Sequence, residues 1–328
     1  MIKVGIPRAL LFYSYYRIWK TFFEQLGLET IISDETNKKI LNDGITRTVD
    51  EVCLPVKVFN GHVASLKDRV DYLFIPRIMS VQKGQWICPK FQGLPEIVKY
   101  SFNDLPEVIS PKIDFLKSRN KLNEIIINTG GLFTRDLAVI NRAYLLATME
   151  YNSYRTLIRN GLLPIDVIDK KFGLLKEQQE RPKILLLGHP YILYDKFISM
   201  DTIKKLRDYG YTVVTEDSFD EKTLSDTVKR HNIDMYWTFG TKILGSALYS
   251  VEKGDIKGIV YLSSFSCGLD SVITEILEKK LKRQGDIPYT LITIDEHTGE
   301  AGVNTRLDAF VDMIGWRDRN ESSLSAHG

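Results

Sequence analysis

Three cysteines, Cys53, Cys88 and Cys267, are the residues of this 328-residue chain with most chemistry to offer. Their number is odd and they stand 35 and 179 residues apart, a poor framework for disulfides. Each lies just ahead of a segment whose pattern predicts a helix. Cys53-Leu54-Pro55 precedes a helix over 56–66, with Pro55 suited to its first turn. Cys88-Pro89-Lys90 precedes one over 93–102, and Cys267-Gly268-Leu269-Asp270 precedes one over 270–284. A thiolate in such a place meets the positive end of the helix dipole and open backbone N–H groups, which lower its pKa and suit it to hold a metal. The alternative for any one of them is an inert core thiol, since cysteine is among the most buried residue types. If the three converge, the choice is between zinc and an iron–sulfur cluster. Structural zinc uses close pairs such as C-x-x-C, and the chain has none. Three distant thiolates around a [4Fe–4S] cube leave one iron open, and an open iron is a Lewis acid.

Other polar residues stand where strands are predicted to end. His189, in Gly188-His189-Pro190-Tyr191, follows a strand over 183–187, and either donates to a cluster or substrate or caps the next helix. Asp295-Glu296-His297-Thr298-Gly299-Glu300 follows a strand over 289–294; such a concentration of ionisable groups favours a site or interface, with Glu296 and His297 as the acid–base pair and Glu300 as a helix cap. Arg77 follows the strand over 71–75, and Lys90 lies two residues past Cys88. Both are candidates to balance a thiolate-ligated cluster or bind an anionic substrate, against ordinary surface salt bridging.

The elements that must position these groups alternate between strand and helix. In the second half, candidate strands at 183–187, 212–215, 235–239, 258–262 and 289–294 are separated by helices at 198–209, 221–231, 242–251 and 270–284, with a last one over 305–314. The first half opens with a strand at 3–6, an aromatic-rich helix at 10–25 and a strand at 29–33. The fold class expected is α/β, two Rossmann-like (flavodoxin-like) parallel-sheet domains with a connecting helical segment. We place the first domain at 1–117, the helical segment at 118–180, the second domain at 181–316 and a flexible tail at 317–328. The aromatics Phe12, Tyr13, Tyr15, Tyr16, Trp19, Phe22 and Phe23 fall at helical spacing and read as core rather than as a base-stacking platform.

Composition removes several function classes. With 44 Lys+Arg against 42 Asp+Glu the net charge is +2, which gives no general case for nucleic acid. No apolar run reaches the length of a membrane span, and Met1–Pro7 reads as an immediate strand rather than a signal peptide, so we expect a soluble, cytoplasmic protein. There is no G-x-x-x-x-G-K-[ST] loop, G-x-G-x-x-G turn, G-x-S-x-G elbow or H-E-x-x-H helix. Nucleotide hydrolysis and dinucleotide binding have no support.

Several strings together resemble a known family: Ile6-Pro7-Arg8-Ala9-Leu10, Asp50-Glu51-Val52-Cys53-Leu54-Pro55, Pro76-Arg77-Ile78, Ile87-Cys88-Pro89-Lys90-Phe91, Ser266-Cys267-Gly268-Leu269-Asp270-Ser271 and Asp295-Glu296-His297-Thr298-Gly299-Glu300. They resemble the module that accompanies activases of 2-hydroxyacyl-CoA dehydratases, which is similar to the dehydratase iron–sulfur subunits and to the double-cubane cluster proteins. The resemblance implies a cytoplasmic, oxygen-sensitive protein of anaerobes with Cys53, Cys88 and Cys267 as the ligands of one [4Fe–4S] cluster per chain. A double-cubane protein needs about twice as many thiolates as this chain owns. The resemblance also implies a partner, an ATP-dependent activase of the actin and sugar-kinase class with its own [4Fe–4S] cluster, which delivers low-potential electrons. The leading expectation is therefore an iron–sulfur reductase acting on a small molecule at an open iron. The alternatives are a non-catalytic electron relay or scaffold for the activase, and a metal-free α/β ligand-binding protein.

Overall fold

A computed structural model of the chain describes residues 1–117, 121–174, 181–284 and 287–325. The chain divides into two compact units, one made of Met1–Arg159 with Asp234–Thr241, the other of Asn160–Ile233 with Lys242 onward. Residues 175–180, in the middle of the charged stretch where the sequence suggests a boundary, lie outside the described residues, as do 118–120 at the start of the expected helical segment. No helix of the described residues is long and apolar enough to cross a membrane.

The first unit is built in chain order from β1 (Lys3–Ile6), α1 (Phe12–Gln25), β2 (Glu29–Ile32), α2 (Lys38–Ile45), α3 (Leu54–Leu66), β3 (Tyr72–Phe74), β4 (Arg77–Ser80), α4 (Pro89–Gln92), α5 (Leu94–Ser101), β5 (Glu107–Ile109), β6 (Lys112–Asp114), α6 (Leu122–Gly130) and α7 (Leu137–Arg159). Its main sheet is parallel in the order β2-β1-β3-β5, and β4 pairs with β6 in a parallel two-stranded ribbon. The chain steps from β1 to β2 and then crosses back to β3, so right-handed crossovers place α1 and α3 on opposite faces. On the α1 face the aromatic series is core: Phe12, Tyr13, Tyr16, Phe22 and Phe23 are buried, Tyr16 meets Tyr154 of α7 edge to face, and the Tyr154 hydroxyl donates to the Tyr13 carbonyl at 2.6 Å.

On the other side, α2 and α3 cross with their backbones in contact. A Cβ on Gly44 would lie 1.9 Å from the Lys57 carbonyl oxygen, and one on Gly61 would lie 1.9 Å from that of Ile40, so only glycine permits the crossing. This crossing fixes α3, and hence the place of Cys53 at its start. Further along α3, the buried His62 ring sits between two hydroxyls, with Ser33 Oγ 2.9 Å from Nδ1 and Thr36 Oγ1 2.9 Å from Nε2. Burial, with the Arg8 charge in support, pushes its pKa down to about 3. The ring is neutral, one nitrogen donating and the other accepting.

The second unit contains α8 (Pro164–Ile168), β7 (Lys183–Gly188), α9 (Pro190–Leu193), α10 (Thr202–Asp208), β8 (Thr212–Val214), α11 (Glu221–Arg230), α12 (Thr238–Lys253), β9 (Gly258–Ser264), α13 (Gly268–Gln284), β10 (Tyr289–Ile294) and α14 (Glu300–Ser325), the unit division falling inside α12. The sheet is again all parallel, in the order β10-β9-β7-β8. Counted from each unit's first strand, both main sheets have the same order, 2-1-3-4, the flavodoxin-like arrangement. The central strands β7 and β9 are buried along nearly their whole length, which is why they read as continuous apolar runs. Both units are thus Rossmann-like α/β folds.

Two segments differ from the sequence reading. Residues 235–239 are not a strand of the second sheet. Phe239, Ile243 and Ala247 lie four apart, all are buried, and this helical period carries Phe239 into α12. The residues just before it pair instead within the first unit, where Trp86 N–H donates to the Tyr236 carbonyl at 2.7 Å and Thr238 N–H donates to the Trp86 carbonyl at 2.9 Å. The final helix begins before 305 and continues to Ser325, through residues read as a tail.

Two measurements check this account. Gly44→Ala and Gly61→Ala should each destabilise the first unit by about 3 kcal/mol, seen as a lower denaturant midpoint, because the added methyl meets backbone. His62 is ordinary in the unfolded chain, near 6.5, and depressed in the fold. The unfolded state therefore takes up its proton first as pH falls. The stabilisation is complete above about 6.5 and is lost toward 3, with ~2 kcal/mol gone at pH 5 relative to pH 7. His62→Gln should flatten that pH dependence.

Candidate functional site

The polar centre of the second unit lies at the carboxyl ends of β7 and β9. From β7 the chain moves outward to β8, then returns to the opposite side of β7 to form β9, so these neighbours leave in opposite directions and a crevice opens between them. Gly188 ends β7 at φ +149°, and a Cβ there would stand 2.5 Å from the Leu262 carbonyl of β9. Glycine lets the two strands close up and delivers His189 beside the end of β9. After β9, Ser266 turns the chain at φ +61°, a left-handed conformation that costs a non-glycine residue of order 1 kcal/mol, and Cys267 follows at the mouth of α13.

Three side chains meet here. His189 Nε2 is 3.1 Å from Asp270 Oδ1 and 3.9 Å from Cys267 Sγ. The Asp270 backbone N–H donates to Cys267 Sγ at 3.5 Å, so the sulfur takes the capping position that serine or threonine usually fills. Asp270 is itself fixed: the Tyr261 hydroxyl donates to Oδ1 at 2.8 Å and the Ser264 N–H donates to Oδ2 at 3.1 Å. His189 is 1% exposed and Asp270 3%, whereas Cys267 is half-buried. Burial pulls the His189 pKa down, but the Asp270 carboxylate and Cys267 overcome it and raise the value to about 10. Burial acts to raise Asp270, and the neighbouring His189 outweighs it, leaving the carboxyl below its ordinary value. The pair is an imidazolium and a carboxylate at neutral pH.

This geometry narrows the chemistry. In a thiol nucleophile triad the carboxylate binds one ring nitrogen and the sulfur the other. Here Nε2 faces both, so the group is not arranged as such a relay. The three ligand atoms lie within 4.8 Å of one another, close enough to hold a metal, and among the described residues this is the one group of three or more His, Cys, Asp or Glu that does so.

Cys53 is the residue before α3 and Cys88 the residue before α4; both are half-buried, both helices carry proline in their first turn, and neither side chain makes a capping hydrogen bond. Arg77 begins β4 and clamps α4 to α5, donating to the Gln92 carbonyl at 2.8 Å and pairing with Glu96. Lys90 is exposed on α4 with no ion pair among the described residues. In the loop after β10, Asp295 accepts from His297 N–H at 2.9 Å and from Thr298 Oγ1 at 2.7 Å, closing a tight turn. His297 is exposed and Glu296 half-buried. Glu300 opens α14 and pairs with Lys205 at 2.7 Å.

Asp270 and Tyr261 are functional candidates that the sequence reading did not assign. The signal for Asp270 was present: an acid three residues after a helix-entry residue is the spacing of a capping box, with cysteine in place of serine. Tyr261 lies inside an apolar strand and carried no signal. Along the same sheet edge, the Tyr194 hydroxyl donates to Asp217 Oδ2 at 3.0 Å, and Lys242 pairs with Asp217 at 3.3 Å. Burial, reinforced by Asp217, holds the adjacent Glu216 carboxyl well above its usual range.

Comparison with known proteins gives two family matches. Residues 3–219 match the family described as CoA enzyme activase uncharacterised domain, and residues 150–314 match the 2-hydroxyglutaryl-CoA dehydratase, D-component. No curated protein matches the chain. Among solved structures, a crystal structure of a galactofuranose binding protein aligns over 90% of this chain and 94% of that one, at 13% identity and a TM-score of 0.22, too poor a superposition to carry an argument.

Removing the Asp270 carboxylate strips His189 of its counter-ion and takes the acceptor from Tyr261 and Ser264. Asp270→Ala should therefore cost about 3–5 kcal/mol in the second unit. Tyr261→Phe, which removes one donor to a charged group, should cost about 1.5–3 kcal/mol. Denaturant unfolding at pH 7 measures both, and equal losses would contradict the assigned contacts.

Proposed function

Because this chain belongs to the 2-hydroxyglutaryl-CoA dehydratase D-component family over residues 150–314 and to the CoA enzyme activase uncharacterised domain family over residues 3–219, we propose that it is a dehydratase-related iron–sulfur redox protein. Cys53, Cys88 and Cys267 each give one thiolate to a single [4Fe–4S] cluster, and an ATP-dependent activase is the source of electrons. Such a cluster supplies one-electron reduction and, at an iron without a protein thiolate, a Lewis acid.

The observation that carries this reading is the common seat of the cysteines. All three stand half-buried at the entrance of a helix, where open N–H groups and the dipole stabilise negative charge, and none of the three is in a disulfide. The donor set fits a thiolate-ligated group. Lys90, exposed two residues from Cys88, is the cation offered to an anionic substrate, with Arg77 bracing the α4–α5 segment beside it. Glu296 and His297 are the acid–base candidates, on a loop at the same carboxyl edge of the sheet as His189.

One observation favours a second reading, a single ion held by Cys267, His189 and Asp270, since their ligand atoms lie within 4.8 Å. Iron and acid-labile sulfide analysis of anaerobically purified protein separates the two. The cluster reading expects about four irons and as many sulfides per chain, lost on Cys→Ser at 53, 88 or 267 alike. One metal ion per chain without sulfide, insensitive to Cys53→Ser, would establish the second reading. Metal-free protein after anaerobic reconstitution would sink both.

A further inference from the structure

We propose that the buried His189–Asp270 pair is the positioning support of Cys267: it holds the sulfur as a hydrogen-bond acceptor and thereby sets the reduction potential of the cluster that Cys267 ligates. This inference rests on the cluster reading above and concerns this chain's own residues.

Cys267 Sγ faces two donors, the Asp270 backbone N–H at 3.5 Å and His189 Nε2 at 3.9 Å. Both belong to one assembly, because the same aspartate that supplies the backbone donor also holds the imidazole at 3.1 Å. Asp270 cannot drift, since Tyr261 and Ser264 occupy its two oxygens from β9. His189 cannot drift either: its ring stacks on Tyr191, with centroids 5.0 Å apart and planes 12° apart, and it is buried. A carboxylate that orients a histidine next to a ligand atom is the usual arrangement around metal centres, where such partners fix ligands and tune the metal.

Stability alone is a weak reason for this pair. Burying an ion pair in an apolar sheet edge often returns no more than well-packed hydrophobic residues of the same volume. The cysteines also differ in kind: Cys267 has its sulfur in the capping position, whereas the side chains of Cys53 and Cys88 make no capping bond. Donors to a ligating sulfur withdraw electron density from it and favour the reduced state. The Cys267 corner is equipped to do so.

The test uses the full chain, loaded anaerobically, with iron content, midpoint potential and the electron paramagnetic resonance signal of the reduced protein as readouts. His189→Phe removes the donor and keeps a planar ring. It should retain its iron and shift the reduction equilibrium at least tenfold toward the oxidised form, about 59 mV for one electron. His189→Gln, which keeps an N–H, should shift less. Should the phenylalanine variant fail to fold, Asp270→Asn, which is isosteric but releases the imidazole, should move the potential in the same direction. Iron-loaded variants whose potential and signal match the parent would overturn the proposal. So would a folded His189→Phe chain that binds no iron, which would make His189 a ligand. If the unmodified chain takes up no iron, the cluster reading itself fails, a result distinct from an iron-loaded protein indifferent to His189.

Discussion

Adjacent parallel strands that leave in opposite directions must part at their carboxyl ends, and the gap between β7 and β9 decides where polar chemistry can stand in the second unit. Both strands are buried along nearly their whole length, so a charged group within them would have no water and no partner. Only the turns beyond Gly188 and Ser264 escape that penalty. Gly188 brings the strands close, Ser266 reverses the chain, and the helix that must follow β9 presents its N–H groups to the gap. Histidine, thiol and carboxylate meet at that gap.

Two buried ion pairs in this unit show how different the uses of burial can be. Asp166 and Arg207 form a two-pronged pair at 2.8 and 2.7 Å, and Asp166 also accepts from the Leu163 N–H at 3.0 Å, so the pair fastens α8 to α10. The His189–Asp270 pair spends its geometry otherwise. Its histidine nitrogen faces both the carboxylate and a half-buried sulfur, and its aspartate is anchored by the neighbouring strand rather than by the helix that carries it. In a medium of low polarity, such a fixed dipole acts on the sulfur with little screening.

Much of this was legible in the sequence because punctuation and period agree. The runs Ile184–Leu187 and Ile259–Leu262 are apolar without alternation, as strands covered on both faces must be, and the prolines after Cys53 and Cys88 mark helix starts. Strands alternating with helices imply parallel sheets, and the handedness of crossovers assigns the helices to faces, while the 2-1-3-4 order is set by the strand pairings of the fold. What escaped has physical reasons. The segment before α12 is rich in aromatic and β-forming residues, yet the burial of Phe239, Ile243 and Ala247 on one helical face outweighs that local preference. The β4 and β6 strands are four and three residues long, too short to show a period. The meeting of His189 with Cys267 spans 78 residues of chain, and a contact one residue wide leaves no pattern behind.

The segment Asp234–Thr241 makes the first unit discontinuous. Trp86, two residues before Cys88, takes both of its backbone pairings from Tyr236 and Thr238, and Gln85 donates to Thr241 at 2.9 Å. Ile87 and Gly84 pair with early-made residues, Met79 and Leu116, whereas the partners of Trp86 are made only after β7, β8 and α11. That one pairing therefore waits until β7 and β8 have been made, with β9 and β10 still to come.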